Sequence, residues 1–176
     1  EYQQTKKYDK ICIMFDLVFQ NQTNSNKYGS KFFEKILAEA IKELRLAKKI
    51  EISINLVGEE RIKELNRKYR KKNKVTDVLS FPMNEKIDLG DIFICLSFAK
   101  KQAKSENVSI GYELARLTVH GFLHLLGYDH PDDEVSWLRP ASPKLQRGEL
   151  KRRDEKMLRL ENKILKKCQD KGQFAG

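Results

Sequence analysis

The stretch Ile110-Gly-Tyr-Glu-Leu-Ala-Arg-Leu-Thr-Val-His120-Gly-Phe-Leu-His124-Leu-Leu-Gly127-Tyr-Asp-His130 decides the fold. From Ile110 to Leu126 it is apolar on most sides, which predicts a helix at the centre of the molecule rather than on its surface. The chain of 176 residues has three histidines, and all of them lie within the eleven residues from His120 to His130. On a helix, His120 and His124 share one face and sit about 6 Å apart along the axis. Gly127 can take the left-handed conformation that ends a helix, folding the chain back so that His130 joins the pair. Three neutral imidazoles with one position left to water describe a catalytic zinc site rather than a closed structural one. One Zn2+ ion on His120, His124 and His130 is therefore expected. Any one of these histidines alone would read as an ordinary core or surface residue; the spacing of the three carries the expectation.

Outward from this helix, the pattern predicts a small sheet and further helices. Ile11 to Val18 reads as a strand, and Asn21 to Gly29 as a loop. Ser30 is placed to cap a helix over Phe32 to Lys49, with Phe33, Ile36, Leu37, Ala40, Ile41 and Leu44 at helical spacing. Glu51 to Val57 alternates as a strand. After Gly58 a second helix buries Ile62, Leu65 and Tyr69 and ends among Lys71, Lys72, Asn73 and Lys74. Val78 to Met83 and Asp91 to Leu96 are further strands, joined by the turn-rich Asn84 to Gly90. Ser97 opens a third helix reaching Glu106. Pro131 to Gly148 reads as an exposed loop, and a last charged helix turns Met157, Leu160, Ile164 and Leu165 inward. Strands and helices in this order make an α+β protein of one domain, a small mixed sheet packed with helices.

Composition agrees. A hydrophobic fraction of 40% with 34% charged residues describes a soluble chain with a charged surface. No apolar run approaches the roughly 20 residues that cross a bilayer, so no membrane association is expected, and the N-terminus lacks the order of a signal peptide. Cys12, Cys95 and Cys168 are scattered and show no CxxC spacing, as in a reducing, cytoplasmic compartment. The net charge of +10 favours a polyanionic partner without establishing one. Much of that charge is local. Arg61, Lys63, Arg67, Lys68, Arg70, Lys71, Lys72 and Lys74 face a lone Glu64, and with Tyr69 they predict one wall of an RNA groove. A solvated helix face is the plainer alternative. Lys151 to Arg153 are a weaker candidate.

The histidine spacing also fits the HxxxHxxGxxH frame of extended zinc-protease motifs. Those carry a Glu general base after the first histidine, where this chain has Gly121, which weakens a peptidase reading. Glu113, two turns before His120, is a candidate to orient a histidine, or else a solvated helix residue. Ser80 and Asp91 do not make a serine hydrolase, because every histidine is better used as a ligand; Ser80 reads as strand structure.

Val119-His-Gly-Phe-Leu-His-Leu-Leu-Gly-Tyr-Asp-His130 resembles the signature of the YbeY family of bacterial and organellar endoribonucleases. Leu65-Asn-Arg-Lys-Tyr-Arg70, Thr76-Asp-Val-Leu-Ser-Phe-Pro82 and Leu89-Gly-Asp-Ile-Phe-Ile-Cys95 agree, and Glu155 to Leu165 is similar to the family's closing helix. The resemblance is strong over residues 50 to 130 and looser at both ends. It implies a zincin-like α+β domain, zinc on three histidines, and single-strand endoribonuclease activity in ribosomal RNA 3′-end maturation and ribosome quality control. Ribosomal RNA and the small ribosomal subunit would be the partners.

In the family an arginine before Thr-Asp-Val-Leu-Ser-Phe is functionally important, and Arg70 holds that place. Arg70 and His120 are thus the expected catalytic residues, with Arg67, Arg70, Lys71, Lys72 and Lys74 on RNA. One departure from the family is an insertion at about 132–150, containing Trp137, Pro140 and Pro143. It is compatible with a lid, a partner-binding loop or a tolerated excursion. Two rivals to the nuclease are a ribosome-assembly factor with structural zinc and a zinc peptidase.

Overall fold

The structure is a computed structural model and describes residues 15–46, 49–83, 85, 87–128 and 147–174, with the side chains of 147–154 excepted. Its elements follow in the order β1 (Phe15–Asn21), α1 (Ser30–Glu43), β2 (Ile50–Val57), α2 (Glu59–Arg70), β3 (Val78–Pro82), β4 (Asp88–Cys95), α3 (Leu96–Ser105), α4 (Ile110–Leu125) and α5 (Arg147–Asp170). The mixed α+β architecture expected from the sequence is present. One sheet runs in the order β1-β2-β4-β3. β1 pairs parallel with β2, β2 parallel with β4, and β3 antiparallel with β4.

The sheet is covered unequally, and this sets the burial along each strand. On one face Ile50, Ile52, Ile54, Leu56, Ile92 and Ile94 meet the buried sides of α1, α4 and α5. On the other, Val57, Leu79 and Cys95 pack with Ile62 and Leu65 of α2, and Tyr69, Phe81 and Phe93 close the edges of this smaller cluster. Because α2 reaches only the β3–β4 side, β1 keeps one face in solvent and alternates strictly between half-buried and exposed residues.

Helix α4 is central, as its composition predicts. Leu114, Ala115, Leu117, Val119, Phe122 and Leu123 are fully buried. Thr118, also buried, satisfies its hydroxyl by donating to the Leu114 carbonyl at 2.7 Å. Ser109 caps the helix by accepting from the Tyr112 N–H.

Several boundaries differ from the sequence reading. β1 continues to Asn21, and Cys12 with the start of the expected first strand lies outside the described residues. Ser30 is already helical; Gly29 is the N-cap, and the Ser30 hydroxyl instead donates to Glu34. α1 stops at Glu43 rather than Lys49, because Arg45 turns left-handed at φ 52° and the Leu46 N–H closes on the Ile41 carbonyl. Ser97 does not cap α3: the helix starts at Leu96, and the Ser97 hydroxyl donates to Glu59. β4 begins at Asp88, three residues before the expected start. Its pairing with β2 shifts register there, and Gly90 takes φ +116°. A β-carbon on Gly90 would meet the Phe81 carbonyl oxygen at 2.0 Å, so this crossing requires glycine.

Candidate metal centre

His120 and His124 project from one face of α4, and their rings are brought together. The two Nε2 atoms lie 3.0 Å apart, the ring centroids 4.6 Å apart, and the planes cross at 76°. Two nitrogen lone pairs at this distance repel unless a proton or a cation lies between them. Tetrahedral zinc with bonds of 2.0–2.1 Å separates neighbouring ligand atoms by about 3.3 Å, so the pair fits one edge of such a polyhedron. The other nitrogen of His120, Nδ1, is 3.1 Å from Oε2 of Glu161 on α5. Glu161 is buried at 7% exposure.

The helix ends as the glycine predicts. Gly127 is left-handed at φ 95°, its N–H donates to the His124 carbonyl, and the Tyr128 N–H donates to the Leu123 carbonyl. This turn sends the chain back immediately after His124. His130, the third expected ligand, lies outside the described residues, as do Trp137, Pro140 and Pro143 of the expected insertion. Among the described residues alone, no three His, Cys, Asp or Glu side chains are grouped to hold a metal.

Beneath the histidines α4 crosses the sheet at Gly121. A β-carbon there would lie 2.9 Å from both Ile92 Cγ2 and Ser80 Oγ. The position that carries the general base in zinc proteases is thus pressed against β3 and β4 here, with no room for a side chain. Ser80 is the floor of this contact, in keeping with its reading as strand structure.

A family model for Endoribonuclease YbeY matches residues 18–137. The chain belongs to the YbeY family. Endoribonuclease YbeY of Sulfurihydrogenibium sp. is 43% identical over 67% of this chain and 80% of its own length. That of Persephonella marina is 47% identical over 65% and 78%, and that of Staphylococcus carnosus 40% identical over 68% and 86%. The solution structure of a Thermotoga maritima protein shares the fold, with a TM-score of 0.56 and 24% identity over 89% of this chain and 94% of that one.

The residues expected to contact RNA follow one another at the end of α2 and in the loop that leads from it to β3. Tyr69 packs its ring 4.9 Å from that of Phe81 on β3, and Lys68 lies over the Tyr69 ring. Arg70, the last residue of α2, is half-buried; Arg67, Lys71 and Lys74 are exposed and Lys72 is half-buried. Lys71 itself turns left-handed at φ 56° and ends the helix. The loop that follows is held by Asn66, which is buried and donates from its amide to the Lys74 carbonyl at 2.7 Å. Asp77 then fixes the start of β3 by accepting from the Val78 N–H and the Thr76 hydroxyl.

Glu113 does not orient a histidine. It is buried, and both its oxygens accept from Arg116, at 2.6 and 3.0 Å. This bond holds the Arg116 guanidinium in its charged form beyond the usual arginine range, against the cost of its own burial, and Glu161 and Asp77 add attraction. The carboxylate that does reach His120 is Glu161, which the sequence reading missed. Its one signal is position: a charge inside the apolar stripe of Met157, Ile164, Leu165 and Cys168 on α5. The described cysteines, Cys95 and Cys168, are buried free thiols, and burial pushes Cys168 up to about 11.

Proposed function

We propose that this chain is a zinc-dependent endoribonuclease of single-stranded RNA, acting in the maturation of ribosomal RNA 3′ ends and in ribosome quality control. The single observation that carries the metal part of this reading is the 3.0 Å approach of the His120 and His124 Nε2 atoms on one face of α4. Membership of an endoribonuclease family carries the substrate class. In this reading the protein is one zincin-like domain, His120, His124 and His130 hold a single ion, and 132–150 is an insertion beside it. Residues 147–150 of that insertion already belong to α5. Ribosomal RNA on the small subunit is the partner. The cytoplasm is the proposed location, and among the described residues no helix is long and apolar enough to cross a membrane.

When bound to such a ligand set, zinc lowers the pKa of a coordinated water to about 7 and polarises a phosphoryl oxygen. The rest falls to the chain's own groups. Arg70 offers a planar guanidinium that pairs with two phosphate oxygens and stabilises the charge developing on them in the transition state. Arg67, Lys71, Lys72 and Lys74 bind flanking phosphates and raise the local concentration of RNA. The packing of Gly121 against Ser80 and Ile92 leaves no place for the carboxylate on which a peptidase relies, which favours the nuclease over the zinc peptidase.

The test sets His124→Ala beside the parent protein, with metal content and cleavage of RNA, DNA and casein as readouts. The parent is expected to carry about one equivalent of zinc and to cut RNA only, and the variant to lose both metal and cleavage. Zinc and RNA cleavage persisting in the variant overturns the metal centre. Casein cleavage alone overturns the nuclease. Ribosome binding without turnover by metal-loaded protein favours an assembly factor.

A further inference from the structure

We infer that Glu161 is the positioning residue of His120, accepting its Nδ1–H and thereby leaving the Nε2 lone pair directed at the position shared with His124. This deepens the metal-centre reading above and rests on it.

The argument begins with what each group can do. A neutral imidazole carries a single N–H, on one nitrogen or the other, and a carboxylate only accepts. A carboxylate 3.1 Å from Nδ1 therefore favours the ring form protonated there. Nε2 is then the bare nitrogen, and it is Nε2 that stands 3.0 Å from the corresponding atom of His124. Without an acceptor at Nδ1 the proton would be free to sit on Nε2, where it competes with a cation.

Burial gives the second reason. Glu161 replaces what the α5 stripe would otherwise fill with an apolar residue: Met157, Ile164 and Cys168 are fully buried and Leu165 nearly so, while Glu161 itself is 7% exposed. Placing a carboxylate there is unfavourable unless it is hydrogen-bonded and offset by charge. His120 supplies the hydrogen bond. Arg116, one helical turn before His120 and itself secured by Glu113, supplies attraction to the Glu161 carboxylate. Two helices and a loop thus converge: α5 brings the acceptor, α4 brings the ring and the guanidinium, and Asp77 ahead of β3 approaches the same Arg116 at 4.0 Å.

The test uses the full chain, metal-free and zinc-loaded, as parent, Glu161→Leu, Glu161→Gln and His124→Ala. Nitrogen NMR of the metal-free parent at neutral pH should show His120 protonated at Nδ1. Glu161→Leu should lose that preference and bind zinc about 10- to 100-fold more weakly in competition with a chelator. Glu161→Gln, whose amide oxygen still accepts, should keep the ring form and restore most of the affinity, a rescue that a purely structural role would not produce. His120 found protonated at Nε2 in the parent overturns the inference whether or not any variant folds. So does Glu161→Leu binding zinc as tightly as the parent. Should the parent and His124→Ala both fail to bind zinc, the metal-centre reading falls, and the ring form of His120 still decides what Glu161 does.

Discussion

Gly121 shows how a single hydrogen atom in place of a side chain fixes both packing and chemistry. It lies buried where α4 crosses the sheet, and the nearest atoms to an added β-carbon are Ile92 Cγ2 and Ser80 Oγ, both at 2.9 Å, with Ile92 Cδ1 at 3.2 Å. Ile92 belongs to the fully buried core and has little freedom to retreat. Gly121→Ala should therefore destabilise the fold by about 1 to 3 kcal/mol, as overpacking does, despite the better helix propensity of alanine. A thermal melt reads the effect, and adding Ser80→Gly should recover part of it by removing one of the close approaches. A Gly121→Ala variant melting with the parent would mean that α4 sits further from β3 and β4. The sequence alone marks this position only as a missing glutamate. Its steric reason depends on the register of Ser80 against Ile92 across two strands, which no local pattern announces. Glu161 was hidden for the same reason, being far from the histidines in the chain, whereas His120, His124 and Gly127 were legible because helical geometry alone relates them.

At the scale of elements, the docking of α5 decides whether Glu161 reaches its histidine. Its buried stripe is apolar apart from Glu161, but its flank is held to α1 by ion pairs: Lys163 and Lys167 to Glu43, and Lys171 to Glu39. Hydrogen bonds from Lys163 and then Lys167 hold the Glu43 carboxyl below its ordinary value of 4.5. A carboxylate whose value is depressed on folding contributes stability above its unfolded value, and loses it as pH falls through the lower, folded one. Acidification below about pH 4.5 should thus loosen α5, and Glu43→Gln should flatten that part of the stability–pH curve. Because the lysines are largely in solvent, the neutral-pH cost of Glu43→Gln is on the order of 1 kcal/mol and should shrink in high salt. Hydrogen exchange of α5 amides against pH reads both, and identical curves for parent and variant would sink the assignment. The existence of α1 and α5 was legible from their apolar period. The end of α1 was not, because Arg45 takes a left-handed φ without the glycine that would signal it, and Leu44 and Leu46 extend the apolar pattern past the true stop.

For the whole molecule, the question is whether the net charge of +10 acts as a diffuse field or through a defined surface. The sheet divides the protein: α1, α4 and α5 with the histidine pair on one face, α2 on the other, and β3, which follows the basic end of α2 in the chain, at one edge. That division follows from strand pairing, and the sequence pattern, which places the start of the basic run on one helix and His120 and His124 on another, has no means to show which side each helix occupies. A surface acting locally predicts that position matters as well as charge. Reversing Lys71, Lys72 and Lys74 to Glu should weaken single-stranded RNA binding and flatten the dependence of log affinity on log salt by about 0.7 for each phosphate that is no longer neutralised. Reversing Lys31, Lys35 and Lys42, exposed on α1, makes the same change in net charge on another helix. If long-range attraction alone brings RNA to the protein, the two triple variants should fall equally in affinity and in salt slope. If the α2 end grips phosphates on the way to the metal centre, only the first should change the slope, and the second should bind nearly as the parent does. An equal fall in both, or no change in the first, would remove this surface from the RNA path.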